Sequence, residues 1–520
     1  MSQINISNLS FSYEGSAEPV FENVSFHLDT NWKLGLLGRN GKGKTTLLKL
    51  FLGKYSYTGS IQASVSFDYF PFELSERQRK KTADEILQEI FPEHEFWKIC
   101  REMDLLQMDV ALLYRPFETL SGGEQARIML AALFAQEGHF LLIDEPTSHL
   151  DTAAREAVRT YLQGKKGFIL VSHDRQILDG CVDHILALER NRIVVEKGNF
   201  SSWWENKSRN DSYEREQNEK LKKEIGRLTE AAKRTTVWAD RSEARKIGFD
   251  LDREQHRSFE SRAYIGEKSR KMQQRRKNLE RRQNSAIEDK EKLLKNIEEP
   301  VDLKLLPLKH HKEVYVRAEE LCLGYNGKKI IGPLSFEIKR GERVVLQGKN
   351  GSGKSSIIKA ILQKNSEDLS ASGRSLNKDK EGENTGIQIL SGSLEAAAGL
   401  KISYISQDTS WMKGSLDDFA AKNSADPSLL RTILRQLDFP REQFAAPIET
   451  YSEGQKKKLL TAGSLLCQAH LYIWDEPLNY IDVFSRIQIE NLILKYQPAM
   501  LLAEHDETFI KRCSVRRICL

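Results

Sequence analysis

The feature that most constrains this chain is an internal repeat. GLLGRNGKGKTTLL begins at Gly35 and VLQGKNGSGKSSII at Val345. Downstream, LSGGEQARIML answers YSEGQKKKLL, LLIDEPTSHLD answers YIWDEPLNYID, and LVSHD answers LAEHD. Ser121 to Glu145 is 24 residues and so is Ser452 to Glu476; Glu145 to His173 is 28 and Glu476 to His505 is 29. Motifs recurring in one order at one spacing mean two copies of one folding unit. The copies differ upstream, where Lys44 to Ser121 is 77 residues and Lys354 to Ser452 is 98. The 21 extra residues fall in NSEDLSASGRSLNKDKEGENTG, which is polar and turn-rich and reads as a disordered surface loop. The chain thus divides into cassettes 1–205 and 313–520, with a separate segment, 206–300, between them.

Each cassette reads as α/β. KLGLLG, HFLLIDEP, GFILVSH and their second-copy equivalents are short apolar runs ending in glycine, carboxylate or histidine. Such strands suit a parallel sheet covered on both faces, with its ligand at the carboxyl edge. GxxxxGK[ST] is met twice, by Gly38–Thr45 and Gly348–Ser355. Its glycines let backbone N–H groups wrap phosphates at a helix N-terminus. Lys44 and Lys354 add a positive charge, and the hydroxyls of Thr45 and Ser355 suit Mg²⁺. Asp144 and Asp475 end apolar strands and are further Mg²⁺ candidates. Glu145 and Glu476 follow, placed to orient and deprotonate a water, and His173 and His505 could polarise a phosphate or hold that water. Ser121 and Ser452 are N-caps whose helices present free N–H groups to a phosphate.

Taken together, these motifs resemble the ATP-binding-cassette superfamily over some 400 residues. The resemblance implies a head-to-tail pair in which each P-loop's ATP is completed by the other cassette's signature. Site one would combine Lys44, Glu145 and His173 with Ser452 and Gly454; site two would combine Lys354, Glu476 and His505 with Ser121, Gly122 and Gly123. It further implies nucleotide contacts from Gly38, Asn40, Gly41, Gly43 and Thr46, and from Gly348, Asn350, Gly351, Gly353 and Ser356. Tyr13 and Tyr325 match the aromatic that stacks on adenine. The glutamine that the family places near Mg²⁺ is met by Gln407, but the aligned residue of the first cassette is Phe72. The signature facing site one also carries Glu453 in place of glycine. A carboxylate beside a triphosphate is repulsive and phenylalanine cannot ligate a metal, so site one is expected to hydrolyse more slowly than site two.

The formal charge of +5 is local: residues 201–300 hold 26 Lys and Arg against 20 Asp and Glu. Within Arg262–Arg282 nine basic residues face two acidic ones. Leu221, Ile225, Leu228 and Ala232 form one apolar seam, and Met272, Leu279, Ala286 and Leu293 another, which predicts two antiparallel helices of about 30 residues. Their tip would lie near 240–268 and project roughly 45 Å. Rings interleaved with cations there suit structured RNA; Lys246, Phe249, Arg257, Phe259, Arg275 and Arg276 are the candidate contacts. Six scattered cysteines without a CxxC pair, no secretory signal and no long apolar run point to a cytoplasmic chain that does not cross a membrane.

Two ABC-type P-loop domains joined by a long helical hairpin linker resemble the ABC-F family of ribosome-associated ATPases. Stretches such as NLSFSYEG, DTNWKLGLLGRNGKGKTTLL and LYIWDEPLNY are similar to the Lsa/Vga-type resistance proteins. That resemblance implies a monomer using ATP and Mg²⁺ on the 70S ribosome, with the linker near rRNA and P-site tRNA, acting against lincosamides, pleuromutilins and streptogramin A. Tip sequences vary within the family, so no tip residue carries over, and the chain ends soon after its last strand, unlike some members. A housekeeping translation factor and the ATPase component of a transporter are the rival readings. A chromosome or repair ATPase would bring zinc cysteines or a far longer coiled coil.

Overall fold

The computed structural model describes residues 3–14, 19–92, 95–147, 150–189, 192–247, 304–349, 351–371, 387–423, 425–437, 439–479, 481–514 and 516–520, with isolated helical positions between 274 and 285. The chain divides into two compact units, Met1–Trp203 with Pro300–Leu520, and Trp204–Glu299.

In the first unit each cassette pairs a parallel sheet with a small antiparallel one. Cassette one contains β1 (Gln3–Phe11), β2 (Phe21–Asp29), β3 (Lys33–Gly38), β4 (Thr58–Ala63), β5 (Ser66–Phe70), β6 (His139–Asp144), β7 (Phe168–Val171), β8 (His184–Leu188) and β9 (Ile193–Lys197). The larger sheet runs β5-β6-β7-β3-β8-β9, parallel up to β8, and β2-β1-β4 is antiparallel. Cassette two contains β10 (Val314–Tyr325), β11 (Lys328–Lys339), β12 (Arg343–Gln347), β13 (Ile387–Ala396), β14 (Ile402–Ile405), β15 (Leu471–Asp475), β16 (Met500–Ala503) and β17 (Arg516–Cys519). Its sheets are β14-β15-β16-β12-β17 and β11-β10-β13. The central strands are apolar because both faces are covered: Leu34, Leu36, Leu142 and Ile169 share one core with Leu47 and Leu48 of the helix Lys44–Phe51. The P-loop, the Asp-Glu pair and the histidine therefore leave the sheet at one edge.

Register fixes equivalences between cassettes. Phe70 pairs with Ile143 and Ile405 with Trp474, each one residue before the aspartate. Phe72 and Gln407 thus occupy the same position, as the alignment of motifs requires.

The polar insertion corrects one expectation. The second P-loop helix runs Lys354–Ala371, so the stretch read as a loop from Asn365 is helical through Ala371, and β13 starts at Ile387. Residues 372–386 lie outside the described residues.

The linker helix is also longer than the seam implied. It spans Phe200–Ile247, 48 residues, beginning before Asn206 and continuing through the first part of the expected tip. Its start is set by burial: Phe200 and Trp203 pack into the first unit, and the Asn199 side chain accepts from the Ser202 amide at 3.0 Å. At 1.5 Å per residue the helix measures roughly 70 Å, against the 45 Å expected. Leu221, Ile225 and Leu228 are half-buried among exposed neighbours, in keeping with the first seam. Lys246 falls in the last turn. Phe249, Arg257, Phe259, Arg275, Arg276 and the second seam lie outside the described residues.

Candidate functional site

Both P-loops are drawn around their lysines. Lys44 Nζ donates to the carbonyls of Gly38 (2.7 Å) and Arg39 (3.2 Å), and Lys354 Nζ to those of Gly348 (2.9 Å) and Lys349 (3.1 Å). The turn needs glycine. Gly43 has φ of 88°, and a Cβ there would lie 2.6 Å from Val20 Cγ1; Gly353 has φ of 94°, and its Cβ would lie 2.1 Å from Ile331 Cδ1. Burial lowers both ammonium pKa values; Asp482 and Glu145 near Lys44, and Glu476 and Asp475 near Lys354, oppose it. A backbone cradle with a buried cation at a helix N-terminus fits a nucleotide's phosphates.

Two composite clefts follow. The first, about 670 Å³, is lined from cassette one by Tyr13, Asn40, Gly41, Gly43, Lys44, Thr45, Thr46, Asp144, Glu145 and His173. From cassette two it receives Ser452, Glu453, Gly454, Lys458 and Arg486. The second, about 600 Å³, joins Gly351, Gly353, Lys354, Ser355, Ser356, Gln407, Glu476 and His505 to Gly122, Leu150 and Arg155 of cassette one. The reciprocal arrangement is head to tail. Ser121 and Ser452 cap the helices Gly122–Phe134 and Glu453–Leu466 through capping boxes with Glu124 and Gln455. Gly123 packs tightly, since a Cβ there would meet Leu150 Cδ2 at 2.9 Å. Tyr13 lines the first cleft, its hydroxyl 2.7 Å from Thr46 Oγ1. Tyr325, half-buried at the end of β10, is not among the residues lining the second, and Asn350 lies outside the described residues.

The catalytic candidates sit in strained backbone. Glu145 has φ of 52° and Glu476 of 48°, a region non-glycine residues rarely adopt. Each is held there by its amide, which donates across the sheet at 2.9 Å, Glu145 to Val171 and Glu476 to Ala503. Their surroundings then diverge. Glu476 Oε2 accepts from Gln407 Nε2 and Asn479 Nδ2, both at 2.8 Å, with His505 Nε2 3.8 Å from Oε1. Glu145 Oε1 is buried without a hydrogen-bond partner, 3.4 Å from His173 Nε2. Burial, then the Asp144 carboxylate, pushes Glu145 up to about 8. Burial, then Lys354, pushes His505 down to about 4, and burial with Lys44 holds His173 well below the usual imidazole range.

For a cation the donors are oxygens. Thr45 Oγ1 donates to Asp144 Oδ2 at 2.8 Å, and Ser355 bonds Asp475, whose carboxyl burial raises to about 6. A hydroxyl beside a single carboxylate suits Mg²⁺, which keeps several waters and takes phosphate oxygens as further ligands. Phe72 does not line the first cleft and meets Phe91 edge-on, at 5.9 Å between centroids. Glu453 lines that cleft, but its carboxylate accepts from Thr409 Oγ1 and pairs with Lys456 at 3.3 Å. Its charge is thereby partly offset within its own cassette.

Sequence reasoning missed several groups. Tyr69 donates to Asp144 Oδ2 at 3.0 Å from the neighbouring strand β5. Asn479 holds Glu476. Arg155 and Arg486 line the clefts and pair with the aspartates after each histidine, Arg155 with Asp174 at 3.6 Å and Arg486 with Asp506 at 3.0 Å. Their matched spacing, four residues after Asp151 and Asp482, was a usable signal. The root of the linker helix also reaches this region: Trp203 meets the Phe484 ring edge-on at 6.1 Å, and the Arg39 guanidinium of the first P-loop lies 5.8 Å from that ring.

A family model described as ABC transporter matches residues 21–148 and 331–479, together more than half of the chain. The chain belongs to the ABC transporter family. This ABC protein is similar to the ATP-binding protein Uup of Buchnera aphidicola, 27% identical over 543 residues, covering 98% of this chain and 79% of the relative. It is similar to the ribosome protection protein VmlR of Bacillus subtilis, 25% identical over 517 residues, covering 98% and 85%. The crystal structure of the archaeal ribosome recycling factor aABCE1, in complex with the stalk protein aP1, superposes with a TM-score of 0.60 at 19% identity. It covers 98% of this chain and 87% of its own, and shares the two-cassette fold. Among the described residues no helix is long and apolar enough to cross a membrane.

Proposed function

We propose that this ABC protein is a ribosome-binding ATPase of the ABC-F type, acting as a cytoplasmic monomer. The observation that carries the reading is a pair of reciprocal nucleotide clefts on one chain, with a 48-residue charged helix between the cassettes. The ribosome protection protein VmlR, alike over nearly the whole chain, supports the ribosome as partner. In each cleft the lysine and the P-loop amides bind the triphosphate. The opposite signature serine and helix N-terminus close over the γ-phosphate, and in the first cleft Tyr13 stacks on adenine. Mg²⁺ held by Thr45 and Asp144, or by Ser355, Gln407 and Asp475, would draw charge from the transferring phosphoryl group. Glu145 and Glu476 orient water for in-line attack and take its proton, while the neutral imidazoles of His173 and His505 donate toward the γ-phosphate or fix the water. ATP binding closes the cassettes and hydrolysis reopens them.

The linker, on this reading, enters the ribosome toward the P-site tRNA and the peptidyl-transferase centre, where it counteracts lincosamides, pleuromutilins and streptogramin A. The double variant Glu145→Gln, Glu476→Gln with ATP should co-sediment with 70S particles on a sucrose gradient; migration free of them sinks the proposal. Replacing Arg275, Arg276, Arg281 and Arg282 with Glu should weaken that binding at moderate salt with basal ATPase little changed. Unchanged inhibitory concentrations for all three drug classes, in cells expressing a protein that still binds ribosomes, would favour a housekeeping factor.

A further inference from the structure

Among the described residues, a buried ion pair away from both clefts joins the cassettes on one side only. The helix Arg175–Cys181 starts two residues beyond His173, capped by Asp174, whose Oδ1 accepts from the amides of Gln176 and Ile177. Its first residue, Arg175, crosses to cassette two. Its Nη1 lies 3.2 Å from Glu490 Oε2, and Nη2 bonds Oε1 of the same carboxylate. Glu490 is on the helix Val483–Tyr496, eight residues beyond Asp482, and takes a second guanidinium from Arg512 at 2.7 Å. The Arg175 side chain is 6% exposed and that of Glu490 is fully buried.

The pseudo-symmetric positions are Glu507, first residue of the helix Glu507–Cys513, and Arg159, eight residues beyond Asp151. Their charges are reversed, so a mirror-image pair is chemically available. Arg159 instead binds Glu156, while Glu507 accepts from Gln347 and pairs with Arg517 at 3.2 Å. Among the described residues neither reaches the opposite cassette. Gly180 occupies the place of Arg512, and Arg159 lies against it, 3.3 Å from where a Cβ would stand.

A bidentate guanidinium–carboxylate pair resists separation, because parting it breaks two charge-assisted hydrogen bonds together. We propose that Arg175 and Glu490 form a one-sided clamp that positions the His173 strand end and keeps site one assembled, so that nucleotide exchanges mainly through site two. Arg175 is a positioning residue: it touches no reacting atom and acts through the two-residue tether to His173. The inference rests on the ATP-site reading above.

The test uses the full chain carrying Glu145→Gln and Glu476→Gln, loaded with Mg²⁺ and a methylanthraniloyl-labelled ATP and chased with unlabelled ATP. Release should show two phases, with the slow one lost in Lys44→Ala. Arg175→Ala alone strands a buried carboxylate and endangers the fold, so the decisive variant is Arg175→Met with Glu490→Leu, which keeps the volume apolar. It should accelerate the slow phase about tenfold and the fast phase less than roughly twofold. Arg175→Lys, which keeps the charge, should hold most of the slow phase. The clamp is overturned if the slow phase is unchanged in the apolar pair, if both phases accelerate alike, or if the slow phase disappears in Lys354→Ala instead. Failure to take up labelled nucleotide at all would overturn the ATP-site reading rather than the clamp.

Discussion

The two clefts share a sheet edge, a P-loop, a strained glutamate and a neutral histidine, yet they differ in how the glutamate is kept. Glu476 is gripped by two side-chain amides, Gln407 and Asn479, while Glu145, with Asp144 beside it, has one carboxylate oxygen that accepts no hydrogen bond. A carboxylate that accepts two amide hydrogens is fixed in direction. Burial and the neighbouring Asp144 carboxylate push Glu145 up, which favours its protonated form. The identity of a motif therefore does not settle its performance; the neighbours around it do.

The largest test of this contrast is a glutamate exchange. Glu476→Gln should lower steady-state ATP turnover on the order of 10²-fold, and Glu145→Gln by less than about threefold. The reverse pattern would break the comparison. Next is acid. His505 stays unprotonated in the folded chain down to about pH 4, whereas an unfolded chain binds that proton below 6.5. Stability from this residue is therefore present above 6.5 and lost as pH falls through that window, about 2 kcal/mol by pH 5. Thermal melts of His505→Asn should show a correspondingly shallower decline from pH 7.5 to 5. If site one is limited by its substitutions, Phe72→Gln with Glu453→Gly in the Glu476→Gln background should raise residual turnover about fivefold. The smallest effect belongs to Tyr69. In that same background Tyr69→Phe should raise the Mg²⁺ concentration for half-maximal rate about twofold and leave ATP affinity unchanged, since only one of two hydrogen bonds to Asp144 Oδ2 is lost.

The sequence made the clefts legible because their chemistry is contiguous. A P-loop fits in eight residues, and β6 and β15 announce themselves by apolar runs, Phe140–Ile143 and Leu471–Trp474, buried up to the aspartate. The head-to-tail pairing came from the resemblance; Ser452 and Gly454 line the first cleft, whereas of the other signature only Gly122 lines the second. What stayed hidden depends on contacts between distant residues. Tyr69 reaches Asp144 only because β5 lies beside β6, and Arg175 meets Glu490 315 residues away. The left-handed backbone of Glu145 and Glu476 leaves no compositional trace, since glutamate is not a residue chosen for that conformation. Periodicity placed the linker helix but not its ends. Its start is decided by Phe200 and Trp203 packing on another element, and no turn residue interrupts the chain at 240.

The root of that helix has a mechanical consequence. Trp203 lies against a ring that also faces the guanidinium of Arg39, so the base of a rod roughly 70 Å long is seated beside the first P-loop. Phe484 thus carries on one ring both the foot of the helix Phe200–Ile247 and a cation of the first P-loop, so a shift of either is felt by the other.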